Sequence, residues 1–257
     1  MSVYVYTQPK AGTYFISDLI TRLGFVNTGY HIMRLSYLDT KAHSLEDNAR
    51  TPDIARVDRF FVPVLRGLKE NELAFGHFPV PLNPEAPLTH TKYVCAYRDP
   101  KQAVVSEFID FRFRRQDMKW INAETIPDDR DAFVKFLKLR GVTGHYNEFR
   151  QLLLYRSLIV HPLATQLEKD RAHFVNFSEL LTNPSEVRDI AQFLGVEMNL
   201  EQAAQAHVEA LTAETKTKAS SIKVDRAALW SNEALEIYNT SPFPKAIEYA
   251  RTLGLTL

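Results

Sequence analysis

The sequence predicts one α/β domain spanning residues 1–257, a parallel sheet flanked by helices on both faces. Three observations carry that expectation. Strand-like and helix-like segments alternate along the chain, the pattern of strand–helix–strand units that wind a parallel sheet. Residues 92–97 (KYVCAY) form an almost continuous apolar run, as a central parallel strand buried on both faces requires. The first strand, Val3-Tyr4-Val5-Tyr6, passes through a short turn with one glycine into a segment whose Phe15, Ile16, Leu19, Ile20 and Leu23 share a helical face.

Each element follows in turn. Gly24 closes the first helix as a left-handed cap. Residues 25–33 predict a second strand, and 36–53 a polar, turn-rich mobile loop. Residues 54–68 read as helix, and Leu73-Ala74-Phe75-Gly76 as a short strand ending at His77. Arg98-Asp99-Pro100 breaks the 92–97 strand, and a helix follows over 101–111. Residues 112–131, highly charged and containing Trp120 and Pro127, read as a lid or insertion. Helices are expected over 132–139 and 145–169, and a strand over 173–177. Asn183-Pro184 opens a further helix that reaches Leu194 and is stopped by Gly195. Beyond Leu200 the chain reads as helical except for a polar stretch at 212–226.

At 257 residues, a prior of ~150 residues per domain gives one to two domains. A chain of this length buries about 70–75% of its unfolded surface and needs no disulfide or metal staple. Its one cysteine, Cys95, excludes an internal disulfide and fits a reducing compartment, so the cytoplasm is the expected location. Lys plus Arg and Asp plus Glu both number 31, a net charge of zero, which argues against a nucleic-acid-coating protein. No run approaches the ~18 apolar residues of a membrane helix. Residues 1–10 lack the basic and apolar regions of a secretory signal.

Two places read as anion sites. In Thr7-Gln8-Pro9-Lys10-Ala11-Gly12-Thr13 the free N–H groups of Gly12, Thr13 and Tyr14 open the first helix. Lys10 adds a full charge, Gly12 admits close approach, and the Thr13 hydroxyl supplies a further donor. The same residues also read as an ordinary strand-to-helix turn with a surface lysine. The triphosphatase pattern G-x-x-x-x-G-K-[ST] is absent. The second place is Arg98, at the end of a buried strand where open α/β sheets bind ligands, with Ser106 two turns into the next helix. Together they can clamp one phosphate; alternatively Arg98 pairs with Asp99 and Ser106 faces water.

These residues resemble the sulfotransferases that use 3′-phosphoadenosine-5′-phosphosulfate (PAPS). The family's first motif, approximately P-K-[SA]-G-T-[TS]-[WFL], corresponds to Pro9-Lys10-Ala11-Gly12-Thr13-Tyr14-Phe15. Its second, approximately Y-x-x-R-[DN]-P-x-[DQ]-x-x-x-S after a buried strand, corresponds to Arg98-Asp99-Pro100-Lys101-Gln102 and Ser106, with Tyr97 directly before the arginine and so off the family's spacing. A weaker third element corresponds to Phe177-Ser178-Glu179-Leu180-Leu181, Asn183-Pro184 and Phe193-Leu194-Gly195. Tyr14 departs from the small hydroxyl residue of the first motif, and Phe177-Ser178 from Tyr-Glu in the third. The family's C-terminal R-K-G-x-x-G loop has no clear counterpart. Ser220-Ser221-Ile222-Lys223 and Arg226 with Trp230 come nearest.

The resemblance implies a P-loop-like nucleotide-binding fold. It also implies transfer of a sulfuryl group from PAPS to an acceptor hydroxyl or amine, with adenosine 3′,5′-bisphosphate (PAP) as product. Lys10, Ala11, Gly12, Thr13, Tyr14, Phe15, Arg98 and Ser106 would bind the donor, and Lys10 would stabilise the leaving phosphate. His77, in Phe75-Gly76-His77-Phe78-Pro79, is similar to the histidine of the family's K-T-H-L-P segment and would be the base. An imidazole of ordinary pKa near ~6.5 accepts a proton at neutral pH; an isolated histidine here also reads as a strand cap.

The other histidines considered, His31, His90, His145, His161 and His173, read as structural or surface. No spacing suggests a metal, and none is expected. Tyr30, Tyr37, Phe60, Phe61, Phe108, Phe111, Phe113 and Trp120 could wall an acceptor pocket, or simply pack the core. A small-molecule or glycan acceptor is expected, set by loops 34–60 and 110–131, with no nucleic acid and no membrane span. Two other readings stand: a P-loop kinase-like phosphotransferase, opposed by the missing Walker lysine and magnesium carboxylate, and a non-catalytic nucleotide-binding or scaffold protein of the same fold.

Overall fold

The computed structural model describes residues 1–33, 36–78, 90–215 and 222–257. The first half of the chain runs β1 (Ser2–Thr7), α1 (Thr13–Arg22), β2 (Val26–Ile32), β3 (Tyr37–Asp39), α2 (Leu45–Arg50), β4 (Arg56–Val57), α3 (Val62–Arg66), β5 (Glu72–Gly76), β6 (Thr91–Tyr97) and α4 (Pro100–Phe113). The second runs α5 (Asp129–Phe136), α6 (Val142–Val160), α7 (Gln166–Lys169), β7 (Ala172–Asn176), α8 (Phe177–Leu180), α9 (Ser185–Leu194), α10 (Leu200–Thr212), α11 (Asn232–Asn239) and α12 (Phe243–Thr252). The strands form one sheet in the order β4-β3-β2-β5-β1-β6-β7.

β1 is central and buried along its whole length. Alternate side chains feed two cores, as the period of two demands. Val3 and Val5 pack with Ile16, Leu19 and Ile20 of α1, Ile190 of α9 and Ala203 of α10. Tyr4 and Tyr6 face the opposite core with Val104 and Phe108 of α4, Phe149 of α6 and Phe243 of α12. β1 pairs in parallel with β5 and β6, placing Tyr4 beside Ala74 on one side and Tyr93 on the other. The carboxyl ends of β1, β5 and β6 therefore meet along one edge, where Gln8, His77 and Arg98 leave the sheet.

The sheet is parallel from β2 to β7, as expected, and β3 and β4 join its edge antiparallel. Three sequence expectations are corrected. Residues 36–53, expected as a mobile loop, hold β3 and α2. Their polar residues are caps and turn-holders: the Asp47 N–H donates to Ser44 Oγ, and buried Asn48 donates to the Thr40 and His43 carbonyls. Residues 54–68, expected as one helix, contain β4 and the single turn α3, which carries Pro63 in its first turn. The expected 145–169 helix stops at Val160, because Pro162 forces His161 into extended backbone (ψ 138°).

The chain between α4 and α5 is fastened by Arg112. Its buried guanidinium donates to the carbonyls of Ile121, Ile126 and Pro127 and pairs with Asp129. Among the described residues no helix is long and apolar enough to cross a membrane.

Candidate functional site

The turn between β1 and α1 is built from two left-handed residues. Lys10 has φ 64° and Gly12 φ 80°. For lysine this conformation costs roughly 1–2 kcal/mol, so contacts on either side must hold it. The Ala11 N–H donates to the Gln8 carbonyl (3.0 Å), and the Gln8 side-chain oxygen accepts from the Arg98 N–H (3.1 Å). At Gly12 a Cβ would lie 2.0 Å from the Phe177 ring, so the third motif packs directly against the first. Gly12 caps α1 without a side chain, and no carboxylate lies in the first turn. The positive end of the helix is left uncompensated by its own sequence.

Arg98 stands beside this loop. Its Nη1 donates weakly to the Lys10 carbonyl (3.4 Å), its Nε to Gln102 (3.1 Å), and its plane lies 5.4 Å from the Phe177 ring centre. Asp99 does not pair with it in the way the surface reading expected; Asp99 caps α4 by accepting the Gln102 N–H (3.0 Å). Burial first, and then the nearby charge of Arg226, lower the Arg98 pKa, with Asp99 opposing. Two guanidiniums drawn to one wall repel each other, and an anion between them would relieve that repulsion. Ser220 and Ser221, the nearest candidates for part of the family's C-terminal loop, lie outside the described residues, as does Pro79; Arg226 is described and lines the cleft.

α4 brings Ser106, Glu107 and Asp110 to the same place. Lys10 Nζ lies 3.3 Å from Asp110, whose other oxygen pairs with Arg114 at 3.0 Å. Glu107 is buried between His145 (2.8 Å) and Arg140 (3.4 Å). Burial alone would raise its pKa, but His145, Arg140 and Lys10 overcome that and hold it at about 2. Glu148, one turn beyond His145 on α6, is pushed up to about 7, chiefly by burial. This carboxylate–histidine group was not legible in the sequence. Glu107 lies far along the chain from Arg140, His145 and Glu148, and only the packing of α4 on α6 joins them.

His77 follows β5 and reaches back to the end of β1. Its Nδ1 is 3.0 Å from the Thr7 main-chain carbonyl and 3.1 Å from the Thr7 hydroxyl. A carbonyl only accepts, so Nδ1 carries the proton of the neutral ring and Nε2 keeps the lone pair. Burial, followed by the charges of Lys10 and His145, lowers the His77 pKa to about 4, although Thr7 and Glu107 oppose the shift. The ring is therefore neutral at physiological pH. His31, set aside on sequence, packs its ring 4.9 Å from that of His77 and meets the Tyr14 hydroxyl at 2.9 Å. The bulky residue at position 14 thus serves the wall of the site.

The loop, His77, Arg98 and the α4 residues Ser106, Glu107 and Asp110 open on one cleft of about 1300 Å³. Lys10, Gly12, Thr13, Tyr14, Phe15, His77, Arg98 and Ser106 all line it. Ala11 alone of the expected site residues does not; it is fully buried beneath the loop. Of the aromatic residues considered for an acceptor pocket, Phe61, Phe108 and Phe111 all belong to the core, and Phe111 also lines the cleft. Among the described residues no cluster of three or more His, Cys, Asp or Glu side chains could hold a metal ion.

A mostly parallel sheet whose central strand runs through a glycine-bearing turn into a helix is a P-loop-like α/β fold. The model of the sulfotransferase domain matches residues 2–234, and the chain belongs to that family. Among solved structures it is similar to mouse sulfotransferase SULT7A1 complexed with PAP, at 14% identity and a TM-score of 0.59. That match covers 98% of this chain and 88% of the other. It is also similar to retinol dehydratase in complex with androsterone and inactive cofactor PAP, at 14% identity and a TM-score of 0.57, covering 98% and 80%. No curated protein matches the sequence.

Proposed function

We propose that the protein transfers a sulfuryl group from PAPS to the hydroxyl or amine of a small-molecule or glycan acceptor, by in-line displacement. The observation that carries this reading is the meeting of the Lys10 loop and His77 in one cleft, both held by Thr7 and its neighbours. Bound PAP in the mouse sulfotransferase and retinol dehydratase structures supports the choice of donor.

The residues fit such a donor. The N–H groups opening α1 and the Lys10 ammonium suit a phosphosulfate, and Gly12 lets it approach the backbone. Arg98, with Arg226 nearby, and Ser106 supply charge and a hydroxyl for the 3′-phosphate. PAPS supplies an activated sulfuryl group with a stable phosphate as leaving group. His77 Nε2 takes the acceptor proton, while Lys10 stabilises the negative charge that grows on the departing phosphate. The buried Cys95 fits a reducing compartment, and we place the enzyme in the cytoplasm.

Transfer of radiolabelled sulfate from PAPS to a panel of alcohols, phenols, amines and glycans tests the proposal. Loss of a general base costs about 10²–10⁴-fold in rate. His77→Ala is therefore expected to lose at least about a hundredfold in turnover while binding PAP nearly as wild type does. Wild-type turnover in that variant would exclude His77 as the base.

A further inference from the structure

We propose that Thr7 is a positioning residue, the middle of a hydrogen-bond relay that runs from His77 through the Thr7 and Thr13 hydroxyls to the phosphate of the donor. The inference rests on the reading of the cleft as a donor site and adds to it a route by which base and leaving group act together.

The geometry leaves little choice of direction. Thr7 Oγ1 lies 2.6 Å from Thr13 Oγ1 and 3.1 Å from His77 Nδ1. Thr7 is fully buried and Thr13 nearly so, which keeps water from competing for these bonds. The Nδ1 proton is shared between the Thr7 carbonyl and the Thr7 hydroxyl. A hydroxyl has one proton, and that of Thr7 then has Thr13 Oγ1 as its acceptor. Thr13 in turn has its own proton to offer, and it stands in the first turn of α1, lining the cleft where an anion would sit. The ring proton thus serves two acceptors on Thr7, the Thr7 hydroxyl donates to Thr13, and the Thr13 proton is left to offer an anion in the cleft.

Polarity along such a chain is cooperative. When Nε2 takes the acceptor proton, the ring becomes an imidazolium and Nδ1–H a stronger donor. Thr7 then donates more strongly to Thr13, and Thr13 to the phosphate oxygen on which charge is growing. No bond to either threonine is made or broken; the one proton transferred is the acceptor's, to Nε2. The other groups that act on the ring are Lys10 of the loop, Glu107 of α4, His145 of α6 and the His31 ring of β2.

Thr7→Val keeps the shape and the main-chain carbonyl but removes the hydroxyl. Turnover is expected to fall about tenfold, the worth of one hydrogen bond, with calorimetric affinity for PAP nearly unchanged and with recovery in Thr7→Ser. Unchanged turnover overturns the relay. So does an equal loss of turnover and PAP affinity, which would make Thr7 a donor-site residue only. The second arm needs no turnover. Nitrogen-15 histidine spectra, with His77 identified by its absence in His77→Gln, are expected to show the Nδ1–H tautomer. Saturation with PAP should shift the Nδ1 resonance, by less than half as much in Thr7→Val. An Nε2–H tautomer, or an equal shift in the variant, overturns the proposal. Failure of PAP to bind would refute the donor-site reading, while the tautomer in PAP-free protein still decides the relay. Should Thr7→Val not fold, Thr7→Ala and Thr7→Ser carry the same comparison.

Discussion

Lys10 and Asp110 face each other at 3.3 Å beside the turn between β1 and α1, both partly exposed. An anion entering the loop competes with Asp110 for the ammonium. A partly exposed ion pair is worth about 0.2–1 kcal/mol. Asp110→Asn is accordingly expected to tighten PAP binding by a small factor at low salt, with the gain fading as salt rises. Weaker binding in the variant would mean that Asp110 aims Lys10 rather than competing for the anion.

In the proposed reaction, Lys10→Ala removes the charge assigned to the leaving phosphate. Loss of one such donor costs roughly 2.7–4 kcal/mol in the transition state, about 10²–10³ in turnover. Steady-state sulfuryl transfer measures it, and more than half of wild-type activity would refute the role.

Gly12→Ala meets two obstacles. The residue sits at φ 80°, and a Cβ would lie 2.0 Å from a Phe177 ring carbon. A left-handed alanine costs roughly 1–2 kcal/mol, and displacing a packed ring costs about 1–3 kcal/mol more. Denaturant unfolding should show the combined loss, and adding Phe177→Leu should recover only the packing part. Near-wild-type stability in Gly12→Ala would contradict the described loop.

His77 and Glu107 give stability two separate acid windows. The His77 pKa falls from 6.5 unfolded to about 4 folded, so the unfolded chain binds the proton first. Its contribution is complete above pH 6.5 and is lost as the pH falls toward 4. Glu107, about 2 when folded against 4.5 unfolded, contributes fully above pH 4.5 and loses its contribution between 4.5 and 2. In unfolding experiments against pH, His77→Gln should flatten the upper window and Glu107→Gln the lower. If His77→Gln left the slope between pH 6.5 and 4 unchanged, the ring would not be the buried neutral group described.

Local signals made much of this site legible. Lys10, Gly12 and Thr13 sit in one turn whose glycine, lysine and following apolar helix are contiguous, and Arg98 follows an unmistakable buried strand. The edge of the sheet was hidden for a physical reason. β3 and β4 are three and two residues long, too short for alternation to register, and their neighbours are polar because they cap and hold turns. Asp110 is one helical turn beyond Ser106, so its place on the same face of α4 follows from helical spacing. Thr7, His31, Glu107 and Glu148 carried no such mark, since only the meeting of β1, β2, α4 and α6 gives them partners.

The central claim is that this cleft binds a nucleotide carrying a 3′-phosphate, held by Arg98. Calorimetry of PAP against ADP, with wild-type protein and Arg98→Ala, tests it most directly. A charge-assisted hydrogen bond is worth about 1.5–3 kcal/mol, roughly ten- to a hundredfold in affinity. Wild type is expected to prefer PAP by a factor of that order, and Arg98→Ala to lose the preference while keeping its affinity for ADP. Equal binding of PAP and ADP by wild type, or equal weakening of both in Arg98→Ala, would contradict the account.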